Sequence, residues 1–252
     1  INVPGVLTNS STGALSGASL SLAANNMTLQ ASSTIGAGSG TAWLQPYTAG
    51  QLIDLGGADA GGTLGLDTNE LDTITTTGIL RVGAMTAGNL NISAAIAPAN
   101  VTTLSLESGG TITQAGAGTI SATNLAIKAL GDVTLDTASN LVTNLAANIG
   151  DSSNKNKNFK FKNSPALNIG SGIDSTSGIS IAIDANSFVP GTPNGIIALT
   201  TGASLTQSAG AVLAGKAVYA EGGRVVLPEA NPTGVIAGKA TGVIAGDIFN
   251  YK

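Results

Sequence analysis

The chain has 252 residues, with 35 glycines, 10% charged and 3% aromatic residues, a formal net charge of −4, no histidine and no cysteine. Without histidine there is no serine–histidine triad, no imidazole zinc site and no use of the commonest general base; without cysteine there are no disulfides or thiolate metal sites. The acidic balance gives no global basic field for nucleic acid, no run of 18 apolar residues offers a membrane-spanning helix, and 42% apolar content with so few charges argues against disorder.

In chain order, residues 1–40 carry alternating apolar pairs, Leu20/Leu22 and Met27/Leu29, with Asn25-Asn26 as a corner between them. The alternation is strand periodicity. Residues 41–62 break the pattern. They hold the only tryptophan, Trp43, with Pro46 and Tyr47, and Pro46 cannot donate to a ladder, so an excursion is expected there. Its bland reading is an aromatic plug over a loop base; its functional reading is a Trp43/Tyr47 platform for a sugar. A polar stretch at 67–72 predicts a second short excursion of one helical turn.

From Asn89 to Gly131 two lines of sequence superimpose. Leu90 is answered by Ile112 and then Val133, while Leu104 and Leu106 are answered by Leu125 and Ile127 and then by Leu145. Apolar runs of period 2 recurring every 20 to 22 residues predict a β-solenoid, each coil burying its apolar face only against its neighbours. A thin column of Leu, Ile, Val and Ala also accounts for the scarcity of aromatics. The expected form is a single all-β unit over 1–252, a rod of about 12 rungs and about 55 to 60 Å at the ~4.8 Å spacing of paired strands.

At 151–163 the composition shifts to DSSNKNKNFKFKN, with Lys155, Lys157, Lys160 and Lys162 close together and Phe159 and Phe161 alternating among them. A third excursion is expected here, either a solvated edge that discourages strand pairing or an anion-contacting knob. A turn is expected at 190–195. Beyond it, Ser204-Leu205-Thr206-Gln207 repeats Thr111-Ile112-Thr113-Gln114, Leu213 falls where Ile120 fell, and Val218 where Leu125 fell. A short duplication, residues 233–238 against 241–246, closes the pattern. Ile1 begins in mid-pattern, no signal peptide is visible, and residues 248–252 read as a rung starting. These features suggest a segment of a longer chain or a unit that stacks end on end.

The runs IDLGGADAGGTLGL (Ile53 to Leu66), ELDTITTTGILRVG (Glu70 to Gly83), GNLNISAAI (Gly88 to Ile96) and VTTLSLESGGTITQ (Val101 to Gln114) resemble the filamentous-haemagglutinin-type exoproteins of two-partner secretion. The resemblance implies a right-handed parallel β-helix, export through an outer-membrane β-barrel transporter, and a place at the bacterial cell surface or outside the cell. Absence of cysteine suits a chain threaded unfolded. The family's N-terminal secretion domain and any toxin-like C-terminal domain are not represented, so functions located there do not carry over.

Catalysis is not expected. Asp132, Asp136, Asp174 and Asp184 are the acidic candidates, but nothing in their spacing brings two carboxylates within the roughly 5 to 10 Å that glycoside hydrolysis needs. Asp59 and Asp67, in the glycine-rich Gly56–Asp67 run, are too isolated for a calcium cage. No cofactor or metal is expected. The reading is a structural or interaction protein, a rigid rod of a surface exoprotein serving as adhesin stalk or filament segment. Two alternatives stand beside it: an adhesin segment contacting a host or cell-surface glycan or protein through Lys155, Lys157, Phe159, Lys160, Phe161, Lys162, Trp43 or Tyr47, and a self-assembling fibre subunit whose partner is another copy.

Overall fold

A computed structural model describes residues 1–10, 12–184, 195–229, 231 and 233–240, the last group as backbone. The turn expected at 190–195 and the second half of the terminal duplication therefore fall largely outside the described residues. The fold is all-β. Its only helix among the described residues is Thr68–Asp72, and every pairing between its strands is parallel.

The registers are those of the sequence repeat. Leu90 pairs with Ile112 and Ile112 with Val133. Leu104 and Leu106 pair with Leu125 and Ile127, and Leu125 pairs with Leu145. A slip of one residue would turn every leucine outward, so the apolar alternation itself holds this register. Two long ladders result, beside a short one that joins Ala14–Ser16, Thr34–Gly36 and the start of Ile74–Ala84. One long ladder runs from Asn2–Asn9 through Leu20–Leu29, Thr41–Gln45, Ile74–Ala84, Val101–Ser108, Ser121–Ala129, the second half of Val133–Ile149, Leu167–Ile169 and Ser204–Gln207 to Arg224–Val225. The other is nine strands deep, from Thr63–Leu66 through Leu52–Leu55, Leu90–Ile92, Ile112–Gln114, the first half of Val133–Ile149, Phe159–Asn163, Ile196–Thr201 and Leu213–Gly222 to Thr233–Ala240. Their inward residues join into one continuous apolar cluster from Leu22 to Leu227. At ~25 cal/mol per Å² of apolar surface, that column is the main source of stability.

Ten strands in the deeper ladder among the described residues are fewer than the twelve rungs expected, because the chain leaves the ladders in places the sequence marked only partly. The predicted break at 41–62 is mostly not a break: Thr41–Gln45 and Leu52–Leu55 are ladder strands. What departs is the Pro46 corner and the Gly56–Gly62 loop, after which Thr63–Leu66 pairs back beneath Leu52–Leu55. The expected turn at 67–72 is the helix. Asp67 accepts the Glu70 N–H at 2.9 Å, and the Glu70 carboxylate accepts the Asp67 N–H at 3.1 Å, a reciprocal cap. At 151–163 the excursion ends at residue 158, and Phe159–Asn163 is a core strand.

The repeat 93 residues apart is reproduced in atomic detail. Gln114 is an inward amide that donates to Gly118 O at 2.6 Å and to Asn140 Oδ1 at 2.8 Å, and Asn140 Oδ1 also accepts the Ile120 N–H at 2.9 Å. Gln207 likewise donates to Ala211 O and, at 2.7 Å, to Asn231 Oδ1, which accepts the Leu213 N–H at 2.8 Å. Both stations sit at corners, where backbone groups turned away from the ladder need partners in a dry interior.

Candidate functional site

Outward residues of the first ladder stand in columns, because parallel strands in register place equivalent side chains directly above one another. One column reads Thr103, Asn124, Asn144, Asn168 and Thr206. Its amides bond rung to rung: Asn144 Nδ2 to Asn124 Oδ1 at 2.9 Å, and Asn168 Nδ2 to Asn144 Oδ1 at 3.0 Å. The next column reads Trp43, Arg81, Ser105, Ala126 and Ala146. Ser105, Ala126 and Ala146 have no exposed surface although they point away from the core, so something covers them.

The cover is residues 170–178. Leu145 pairs with Ile169 and Ala147 with Ile179, so nine residues stand where the ladder needs only a partner for Ala146. Those nine form a strap that folds down the outer face across the preceding coils. Its base is closed by the Gly178 N–H donating to Gly170 O at 2.9 Å. Its tip is a two-residue turn between Ile173 and Thr176, which exchange two backbone hydrogen bonds of 2.9 Å. Asp174 and Ser175 take φ of 44° and 60°, the left-handed pair such a turn requires. Ile173 packs on Ala126 and Ala146 in a small cluster separate from the core. Larger residues in that column would lift the strap.

At the tip, Asp174 meets two cations and a hydroxyl. Arg81 Nη2 meets Oδ1 at 2.5 Å and Arg81 Nε meets Oδ2 at 3.3 Å. Lys128 Nζ reaches Oδ2 at 2.9 Å and Ser105 Oγ donates to it at 2.7 Å. Glu107, one column over, bridges the same two cations, 3.2 Å from Arg81 Nε and 3.2 Å from Lys128 Nζ. The quartet is neutral. The Asp174 side chain is 4% exposed and that of Glu107 9%. Burial pushes the Asp174 carboxyl up, but hydrogen bonds from Arg81, Lys128 and Ser105 and the charge of Arg81 outweigh it and hold it below the usual carboxylate range. Trp43 lies against the far side of Arg81, the guanidinium carbon 5.4 Å from the ring centroid, and its indole N–H donates to Gly83 O at 2.6 Å. Gly83 (φ 93°) is a required glycine, since a β-carbon there would run into the Glu107 carbonyl oxygen.

The residues singled out in the sequence scatter differently. Phe159 and Phe161 share one face of a strand as expected, but that face is the core and not the surface. Both are essentially buried, stacked with centroids 6.3 Å apart and set between Val133/Leu135 and Ile197/Leu199. They are the largest apolar side chains nearby, which is why the strand places them inward. Lys155, Lys160 and Lys162 are exposed and Lys157 is half-buried. Their loop is pinned at its neck: Asp132 accepts the Asn158 N–H at 2.7 Å, and the Asn156 N–H donates to Ala182 O at 2.7 Å. Tyr47 is exposed at the Pro46 corner, while Trp43 belongs to the Arg81 stack. Asp67 caps the helix and Asp59 accepts the Gly65 N–H, and no group of three or more ligand-type residues capable of holding a metal occurs among the described residues.

Sequence reasoning considered Asp174 only as half of a carboxylate pair and missed Arg81, Ser105, Glu107 and Lys128. A signal was present: the leucine register fixes 105, 126 and 146 as one outward column, and a column of small residues needs a cover. Comparison with family models, curated proteins and solved structures finds no match to this chain.

Proposed function

We propose that the chain is a right-handed β-helical rod of the filamentous-haemagglutinin-like kind, exported to the cell surface, whose work is reach, rigidity and contact. The observation that carries this reading is the nine-strand parallel ladder over one continuous apolar column. Such a core is built from the chain's own stacked apolar side chains, and its strength grows with the number of coils. Ties that cross coils, the Asn124/Asn144/Asn168 ladder and the strap, stiffen it further. The quartet supports the same reading: its charges cancel against one another and present no free base or nucleophile. Cysteine is absent, as suits a chain threaded unfolded through a transporter.

Small-angle scattering of the isolated chain tests the rod. A constant cross-section and a length of at least about 40 Å, nine strands at ~4.8 Å, are expected. A spherical particle refutes it. The adhesin reading draws on the exposed lysines, and replacing Lys155, Lys157, Lys160 and Lys162 by serine separates the two. Substitution rather than deletion is used because Asn156 and Asn158 pin the neck of the loop and Phe159–Asn163 belongs to the core. A spacer keeps its fold and its behaviour on cells; a receptor module keeps its fold and loses binding to cell-surface glycan.

A further inference from the structure

From the strap and its contacts we infer that Arg81, Lys128 and Ser105 form a carboxylate-binding site on the outer face of the rod, held shut by the chain's own Asp174. Three donors from three successive strands, Ile74–Ala84, Val101–Ser108 and Ser121–Ala129, converge on a single carboxylate. The Arg81 fork engages both of its oxygens, the geometry by which arginine recognises a free carboxylate. The carboxylate that fills the site does not belong to the surrounding sheet. It arrives on a nine-residue insertion that the ladder does not need, through a turn with two non-glycine residues in the left-handed region. The base of that insertion is closed on itself by the Gly170–Gly178 hydrogen bond, so the strap can lift without disturbing Leu167–Ile169 or Ile179–Ile181.

Charge gives the direction. With the strap in place the quartet sums to zero; with it lifted, Arg81 and Lys128 face Glu107 alone and the site carries +1. Ser105 then loses its acceptor, and Arg81 remains propped on Trp43 in its binding orientation. The ligand class is a carboxylate, and the strap is its intramolecular competitor. A bound ligand that displaced Asp174 would also uncover Ala126 and Ala146.

Acetate is the probe, with chloride at equal ionic strength as the control. Asp174→Ala opens the carboxylate position while leaving the donors in place. Its melting temperature rises saturably with acetate and not with chloride, by a few degrees once acetate stands well above its dissociation constant, and the emission of Trp43, the chain's only tryptophan, shifts with it. The double variant Asp174→Ala/Arg81→Ala shows neither response. Wild type shows neither over the same range, because Asp174 occupies the site. If Asp174→Ala does not fold, excision of 171–177 across the closed base carries the same measurement. Acetate acting no more strongly than chloride on the opened variant overturns the site, and wild type responding as strongly as the variant overturns the occlusion.

Discussion

Asp174 and Ser175 occupy the same strained turn but are kept there for different reasons, and substitution separates them. Left-handed backbone costs a non-glycine residue about 1 kcal/mol. Ser175 makes no ion pair, so Ser175→Gly is expected to stabilise by about 0.5–1 kcal/mol in urea unfolding. Asp174→Gly relieves the same strain yet destabilises, because it leaves Arg81 and Lys128 poorly compensated beside Glu107. The pH dependence follows from the direction of the Asp174 shift. Its folded carboxyl lies below the usual aspartate range, so its contribution is fully present above the unfolded value and is lost as pH falls through the lower folded one. The melting temperatures of wild type and Asp174→Asn should therefore differ at pH 7 and converge below about pH 4, near the ordinary aspartate value. A gap that stays constant down to pH 2 would falsify the assignment. The small-residue column pointed to a cover, but the ion pair itself was not legible in the sequence, since Arg81 and Asp174 are 93 positions apart and meet only because a strap folds down across intervening strands.

Within single elements, sequence and structure agree wherever alternation alone decides. The strand Phe159–Asn163 shows where that reasoning stopped short: alternation put both phenylalanines on one face, but only the ladder position says which face is dry. The lysine-rich surroundings pointed to the surface, and aromatic volume won. Phe159→Ala is expected to cost about 3–5 kcal/mol by opening a cavity between Val133 and Ile197, whereas Lys160→Ala stays within about 0.5 kcal/mol. Chemical denaturation of the two variants side by side checks this; equal losses would return Phe159 to the surface. The helix Thr68–Asp72 was read correctly from polarity, and its cap explains why so short a helix persists. Asp67→Ala should cost about 1 kcal/mol through loss of the Glu70 N–H partner.

Over the whole molecule, the proposed rod makes stability local to groups of coils, since in a solenoid each coil packs on its neighbours. The two buried amide stations make this testable. Gln114–Asn140 and Gln207–Asn231 are chemically equivalent yet are separated along the stack by the coils that carry Phe159–Asn163 and Leu167–Ile169. Asn231→Leu strands one N–H of the Gln207 amide and the Leu213 N–H in a dry interior, at about 1–3 kcal/mol for each unsatisfied group. In a nearest-neighbour stack that cost falls on the coils around 196–225. Hydrogen exchange should show those amides losing protection while those of Val101–Ser108 and Ser121–Ala129 keep theirs, and Asn140→Leu should give the converse. Sites so far apart should also add in the double variant to within about 0.5 kcal/mol. A globular β protein with one cooperative core behaves differently: either substitution lowers protection everywhere, and the double variant unfolds in one sharp step. The strap complicates the middle of the ladders in an informative way. By tying Arg81, Ser105 and Lys128 to a later coil it should merge those coils into one protected block. Excising 171–177 should split that block while leaving the region around 196–225 unchanged.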